Sequence, residues 1–340
     1  MAAFRVPDAR RSVPGGNADR CVQGTNDDAT VSKLSCATLG YFQDDFVHLF
    51  VRRRTRRPPM INRGYFARVQ AIRQAIQGFM EAAGGGSGGA QIVSLGSGWD
   101  TNFFRLREAK AEPKLYIELD HKEVTCSKCR SVKKSPALCG LLAGEDQSGE
   151  AKVDVESGTI SSAKYALLPS DLRDPAKVKA SLDVAQADYE APTFILLECV
   201  LAYLDGDATR NLLSLLANTF ERCCVLIYDM IGPDDPFGQQ LIYNVESRGC
   251  PLPGIRSFPA KESHAKLLEE CGFTCGGVHD MLEVYGKYVN QDERKRTERI
   301  EFLDELEEWH LIMAHYCLSY GFKGSPDLFG TRAMPLKLQT

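Results

Sequence analysis

Gln91-Ile-Val-Ser-Leu-Gly-Ser-Gly-Trp-Asp-Thr101 is the stretch that decides the fold of this chain. Ile92 to Leu95 reads as a buried strand running straight into a glycine turn, and Asn102-Phe-Phe-Arg-Leu106 opens a helix behind it. Gly96 and Gly98 let a ligand come close to the backbone, because no Cβ stands in the way. A second apolar strand, Lys114-Leu-Tyr-Ile-Glu-Leu-Asp120, then ends in a carboxylate. Its offset from the turn lies near the ~20 residues expected when an acid at the second strand tip grips a ribose. Gly-x-Gly alone is weak, but strand, turn, helix, strand and acid in that order make a nucleotide-type pocket.

The turn departs from the dinucleotide pattern. Thr101 stands where Gly-x-Gly-x-x-Gly has its third glycine, and Asp100 stands where a pyrophosphate would sit. Asp100 would repel phosphate and is better suited to capping the helix. A phosphate-free, positively charged nucleoside therefore fits better than NAD, and S-adenosylmethionine is such a ligand.

Composition sets bounds on the rest. The 340 residues suit one large α/β domain, with 25% charged and 44% hydrophobic residues. A net charge of −4 argues against a general nucleic-acid binder. The longest apolar run, Phe194 to Leu204, is too short to span a membrane and is interrupted by Glu198. Twelve cysteines are scattered as small core residues, consistent with reduced thiols in the cytoplasm. Cys126-Ser-Lys-Cys129 lacks the second pair that a zinc site needs, and His310 and His315 lack a ligand spacing, so no metal is expected.

Along the chain, residues 1–28 are expected to be a disordered tail, rich in Arg, Asp, Gly and Pro. Residues 29–83 read as a helical N-terminal cap, closed by a Gly84-Gly89 connector. Strand and helix patterns then alternate, implying a parallel sheet covered on both faces. Strands are predicted at Ile92–Leu95, Leu115–Leu119, Tyr165–Pro169, Thr193–Glu198 and Cys224–Asp229, with a last one at His315–Phe322. Asp120, Asp171, Glu198 and Asp229 lie at or beside strand ends, where open α/β sheets bind ligands. Residues 230–262 read as a lid insertion in which Met230, Phe237 and Phe258 could wall an apolar pocket. One long helix is expected over Gln291–Ala314, and residues 326–340 form a tail outside a single domain at 29–325.

Five motifs occur in order: Ile61-Asn-Arg-Gly-Tyr-Phe-Ala-Arg68, Val93-Ser-Leu-Gly-Ser-Gly-Trp-Asp-Thr101, Glu118-Leu-Asp120, Ser170-Asp-Leu-Arg-Asp174 and Leu197-Glu-Cys-Val-Leu-Ala-Tyr203. Together they resemble the leucine carboxyl methyltransferase family over residues 30 to 325. The resemblance implies a class I S-adenosylmethionine-dependent methyltransferase fold, a Rossmann-like doubly wound α/β sheet. It implies cofactor contacts at Lys33, Arg68, Gly96, Asp120, Asp171, Leu172 and Glu198, to which the turn adds Gly98. Family members usually carry Ala-Gly-Met where this chain has Ser97-Gly98-Trp99, so a bulkier Trp99 narrows the methionine end.

Chemistry gives these positions jobs. Asp120 can accept both ribose hydroxyls, Asp171 the adenine amino group, and Leu172 can present its backbone N–H to the ring. Lys33 and Arg68 can neutralise the methionine carboxylate, with Glu198 facing its ammonium. The resemblance implies that the methyl group goes to the C-terminal leucine carboxylate of a type 2A protein phosphatase catalytic subunit, releasing S-adenosylhomocysteine. Arg68 and Tyr203 are then the candidates for orienting that acceptor. The partner is expected to engage by its tail and by a docking surface, since residues 1–60 carry 10 Lys and Arg against 6 Asp. The Arg52–Arg57 run reads as a solvated helix end, an acidic-partner surface or a nuclear signal. A monomer is expected, without nucleic acid or membrane. The alternatives are a carboxyl methyltransferase of tRNA wybutosine, whose members carry a C-terminal β-propeller that this sequence does not contain, and a non-catalytic S-adenosylmethionine-binding phosphatase partner.

Overall fold

Nine strands form one sheet, in the order β3-β4-β5-β2-β1-β6-β7-β9-β8, in a computed structural model that describes residues 18–51, 53–84, 89–142 and 151–324. The strands are β1 (Gln91–Leu95), β2 (Leu115–Asp120), β3 (Lys152–Asp154), β4 (Thr159–Ser161), β5 (Tyr165–Pro169), β6 (Thr193–Glu198), β7 (Cys223–Met230), β8 (Thr274–Asp280) and β9 (Tyr316–Lys323). The five central strands are parallel, as their continuous apolar runs predict. The edges correct the expectation of a purely parallel sheet. β3 and β4 add antiparallel at one side, and β9 and β8 at the other.

Thirteen α-helices accompany them among the described residues. The first five are α1 (Ala18–Leu39), α2 (Pro59–Ala82), α3 (Asn102–Glu108), α4 (Lys122–Lys134) and α5 (Pro136–Leu142). Next come α6 (Pro175–Val184), α7 (Gly206–Thr219), α8 (Pro236–Glu246), α9 (Pro253–Ser257) and α10 (Lys261–Glu270). The last are α11 (Met281–Glu283), α12 (Gln291–Glu298) and α13 (Leu306–Ala314). Period-two alternation divides the strand side chains between two cores. Ile92, Phe194 and Leu226 face Phe66 and Phe79 of α2 and Phe103 of α3. Val93, Ile195 and Val225 face Val178 of α6, Leu212 of α7 and Leu267 of α10. Burying each such side chain stabilises the fold by ~1.5–3 kcal/mol.

Two expectations fail for physical reasons. Residues 18–28 belong to α1 and are not a disordered tail. The long helix over Gln291–Ala314 is broken between α12 and α13, where Glu301 turns inward. Glu301 accepts from Tyr41 Oη at 3.0 Å and Asn62 Nδ2 at 2.8 Å, and pairs with Arg56 at 2.7 Å. That carboxylate outweighs local helix propensity. It also pairs one member of the basic run, Arg56, whose side chain stays largely exposed. The expected tail at 326–340 and most of the glycine connector lie outside the described residues.

β1 positions the site. The chain runs from β1 to β2 on one side, and β6 pairs with β1 on the other. This is a topological switch point, with a crevice beyond the carboxyl ends of β1 and β6.

Candidate active site

Gly96 leaves β1 with φ +63° and Gly98 follows with φ +51°, a region costly for residues bearing a Cβ. Space adds a second constraint. A Cβ on Gly96 would lie 2.8 Å from Val200 Cγ2, and one on Gly98 2.4 Å from Asn26 Oδ1. The Gly98 N–H donates to Asp120 Oδ2 at 2.6 Å, and the His121 N–H to Asp120 Oδ1 at 2.7 Å. Burial raises the Asp120 carboxyl above its ordinary range, and these two N–H groups oppose the rise. Asp120 thus ties the glycine turn to the tip of β2.

A buried polar layer supports the turn. Asp100 Oδ1 accepts from the N–H of Asn102, the first residue of α3, at 2.7 Å, the capping role expected of it. Its Oδ2 accepts from Tyr116 Oη at 2.9 Å. Lys128 of α4 donates to the Asp100 carbonyl at 2.8 Å and pairs with Glu118; both side chains of that pair are fully buried. Burial pushes Glu118 up to about 7 despite Lys128. Lys128 sits within the Cys-x-x-Cys segment, where Cys129 is a core residue and Cys126 Sγ faces the Glu156 carbonyl.

Lys33 of α1 and Arg68 of α2 converge on Glu198 at the end of β6. Lys33 Nζ lies 3.0 Å from Glu198 Oε1, which also accepts from Arg68 Nε. Burial would raise Glu198, but the two cations override it and hold the carboxyl at about 2. The Arg68 guanidinium packs on Tyr228 at 4.6 Å and Tyr65 at 5.4 Å. These three charged groups, with Gly96, Asp100 and Trp99, line a polar chamber of about 380 Å³. Trp99 stacks on Phe50 and donates to Asp27 at 3.1 Å.

The adjoining cleft of about 660 Å³ is lined by Gly96, Asp120, Asp171, Leu172 and Tyr203. Its other wall is α1, through Asp19, Val22, Gln23, Thr25 and Asn26. Gly96 and Asn26 border both spaces. Asp171 accepts from Arg173 Nε at 2.9 Å, which holds its carboxyl below the usual range. Arg173 reaches on to Asp19 at 3.0 Å, strapping α1 to the loop after β5.

Cys199 follows Glu198 in the left-handed region, φ +58°, a strained state for a residue other than glycine. The sharp turn sends Glu198 into the polar chamber while Cys199, Val200 and Tyr203 line the cleft. Asp229, expected among the ligand-facing acids, is structural instead. Its carboxylate accepts from the Ala202 N–H at 3.0 Å and the Met230 N–H at 2.8 Å. Burial pushes it up to about 6. It thereby fixes the 201–203 turn that carries Tyr203. Beside Tyr203, Ala202 and Met230 pack with Ile242, Leu252 and Ile255 of the α8–α9 segment. Phe258 does not join them; it belongs to the core under α7.

The structure therefore brings Lys33, Arg68, Gly96, Asp120, Asp171, Leu172, Glu198 and Tyr203 around one two-part space, with Gly98 at its border. Sequence reasoning missed the first turns of α1, as well as His121, Arg173 and Cys199. Asp19, Val22, Gln23, Asn26, Thr30 and Lys33 recur at helical spacing, a signal that could have revealed the α1 contribution.

Comparison with known proteins follows the same lines. A family model described as leucine carboxyl methyltransferase matches residues 19–217. The Arabidopsis thaliana protein named leucine carboxyl methyltransferase 1 homolog is 43% identical over 309 residues, covering 91% of each chain. Leucine carboxyl methyltransferase 1 of Bos taurus is 34% identical, over 93% of this chain and 94% of its own. Human tRNA wybutosine-synthesizing protein 4 is 36% identical over 89% of this chain but only 44% of its own length. Among solved structures, a candidate methyltransferase from Thermobifida fusca superposes with a TM-score of 0.51 at 15% identity, over 79% of this chain and 84% of its own. A likeness at that level concerns the fold, an α/β methyltransferase architecture.

Proposed function

Since the chain belongs to the leucine carboxyl methyltransferase family, we propose that it transfers a methyl group from S-adenosylmethionine to the C-terminal leucine carboxylate of a type 2A protein phosphatase catalytic subunit. The observation that carries this reading is the Lys33–Glu198–Arg68 cluster opening beside Asp120 in one two-part space. That donor set fits the cofactor at both ends. Asp120 spends one lone pair per oxygen on backbone N–H groups and retains others for ribose hydroxyls. Glu198 suits an ammonium, while Lys33 and Arg68 suit a carboxylate. Bound S-adenosylmethionine supplies an electrophilic methyl group on a sulfonium.

The chain's own residues then bind and orient. A terminal carboxylate has a reference pKa of about 3.3–3.7 and is ionised at pH 7, so no general base is required. Arg68 is already committed to Glu198 and to two tyrosine rings, so its charge steadies the methionine end and does not quench the nucleophile. Tyr203, on the turn held by Asp229, orients the acceptor from the α8–α9 side. Alignment of this kind contributes up to ~7–11 kcal/mol.

The test is transfer of labelled methyl from S-adenosylmethionine to purified phosphatase catalytic subunit with its native end, with the last leucine deleted, with that leucine replaced by alanine, and to the free tail peptide. We expect label only where a terminal carboxylate follows leucine, and little on the peptide. Equal labelling of the native and leucine-deleted proteins overturns the reading. A parallel arm with tRNA carrying the wybutosine precursor examines the second reading, which the 36% identity to the human tRNA-modifying protein keeps in play.

A further inference from the structure

A second cavity, of about 970 Å³, opens between α2 and α3, and no step proposed above uses it. Its walls are apolar, with Ile76 and Met80 on α2, Leu106 on α3, and Ala109 and Ala111 just beyond. Two guanidinium groups, Arg73 and Arg105, share the same cavity. Arg73 pairs with Asp44 at 3.1 Å, but Asp44 is divided, since it also accepts from Thr101 Oγ1 at 2.7 Å. Arg73 Nε is buried and meets no acceptor among the described residues. Arg105 donates to the neutral Asn102 Oδ1 at 3.3 Å. Burial, with Arg105 alongside, pulls Arg73 down to about 9. Two cations thus line a largely apolar cavity whose own lining holds one carboxylate, the exposed Glu81, and although Arg73 Nη1 donates to the Gln43 carbonyl at 3.0 Å, its buried Nε is left for an anion to satisfy.

A smaller space, of about 290 Å³, lies between this cavity and the polar chamber. It is bordered by Arg73 and Asn102 on one side and by Lys33, Asp100 and Glu198 on the other. The cavity and the polar chamber are thus neighbours with separate linings.

We propose that the α2–α3 cavity is a second binding site, for a small organic anion with an apolar body, whose carboxylate pairs with Arg73 and Arg105 while its chain lies along Ile76, Met80 and Leu106. The charge selects an anion and the walls select a hydrocarbon tail. Inorganic anions would lack the second contribution, and neutral alcohols the first.

The experiment is calorimetric titration of the whole protein with decanoate, decanol and inorganic phosphate. We expect saturable one-to-one binding of decanoate and neither of the others. Arg105→Gln should weaken decanoate roughly ten-fold or more, the loss of about one charge-assisted hydrogen bond. Ala109→Trp, which fills the cavity from one turn beyond Arg105 and leaves both guanidinium charges in place, should abolish binding with an unchanged melting curve. Lys33→Ala should leave it intact. No saturable decanoate binding overturns the proposal, as does equal binding of decanol or equal affinity in a folded Arg105→Gln protein. If Arg105→Gln does not fold, Ala109→Trp decides alone. Loss of binding in Lys33→Ala places the anion in the polar chamber and equally refutes it.

Discussion

Asp120 and Asp19 line the same cleft from opposite sides, and they are held by different means. Asp120 is buried and fixed by two backbone N–H groups at the tip of a central strand. Asp19 lies on α1 and is engaged by Arg173, whose side chain is 44% exposed. The floor of the site is set by sheet register and supported by a buried ion pair. The wall facing it is attached by exposed side chains, including Arg248 to Asp28. Interactions of the first kind are weakly screened and expensive to break; those of the second are cheap and sensitive to salt.

The contrast is broken most forcefully at Lys128. Lys128→Ala leaves the buried Glu118 without its partner and should cost ~3–5 kcal/mol in urea denaturation. A loss under ~1 kcal/mol would show that the floor does not depend on the pair. Next comes Asp120→Ala, which removes the acceptor shared by Gly98 and His121. We expect S-adenosylmethionine affinity to fall by ~1.5–3 kcal/mol in calorimetry, with cooperative unfolding retained.

Proton linkage gives a third handle. Glu118 at about 7 and Asp229 at about 6 lie above their unfolded values. Their stabilising contribution is complete below the ordinary carboxyl range and is lost as pH rises through about 6 and 7. Glu198, held at about 2, behaves oppositely, losing its contribution only as pH falls toward that value. The unfolding free energy should therefore decline between pH ~4 and ~7, by on the order of 2 kcal/mol or more. Asp229→Asn should remove the part centred near 6, and an unchanged slope would assign the decline elsewhere. The smallest effect belongs to the facing wall. Arg173→Ala should cost only ~0.2–1 kcal/mol yet speed amide exchange in α1, and added salt should mimic it in the native protein. Exchange as slow as in β1 would erase the distinction.

The same contrast explains what could be read from the sequence. Strands β1, β2, β5, β6 and β7 are continuous apolar runs and were legible with their strand-end acids. The placement of Lys33 and Arg68 beside Glu198 followed the family resemblance. The start of α1 was not legible, because its cleft-facing stripe runs Asp19, Gln23, Asn26, Thr30 and Lys33, polar residues that a search for apolar periodicity passes over. β8 was missed because Gly276 and Gly277 interrupt its alternation. There a Cβ on Gly276 would strike the Tyr320 ring, so glycine reflects packing and not a loop. The break before α13 depends on Glu301 finding Tyr41 and Asn62 from distant segments, and nothing local announces it. Asp229 looked like a ligand because one of its backbone partners, the Ala202 N–H, lies on the turn after a different strand.

The Arg173 strap also bears on timing. If a ligand between Gly96 and α1 leaves by displacing that helix, its residence time is governed by contacts that ions in solution can loosen. If release limits turnover, ionic strength becomes a throttle on the rate, acting far from the bond being made.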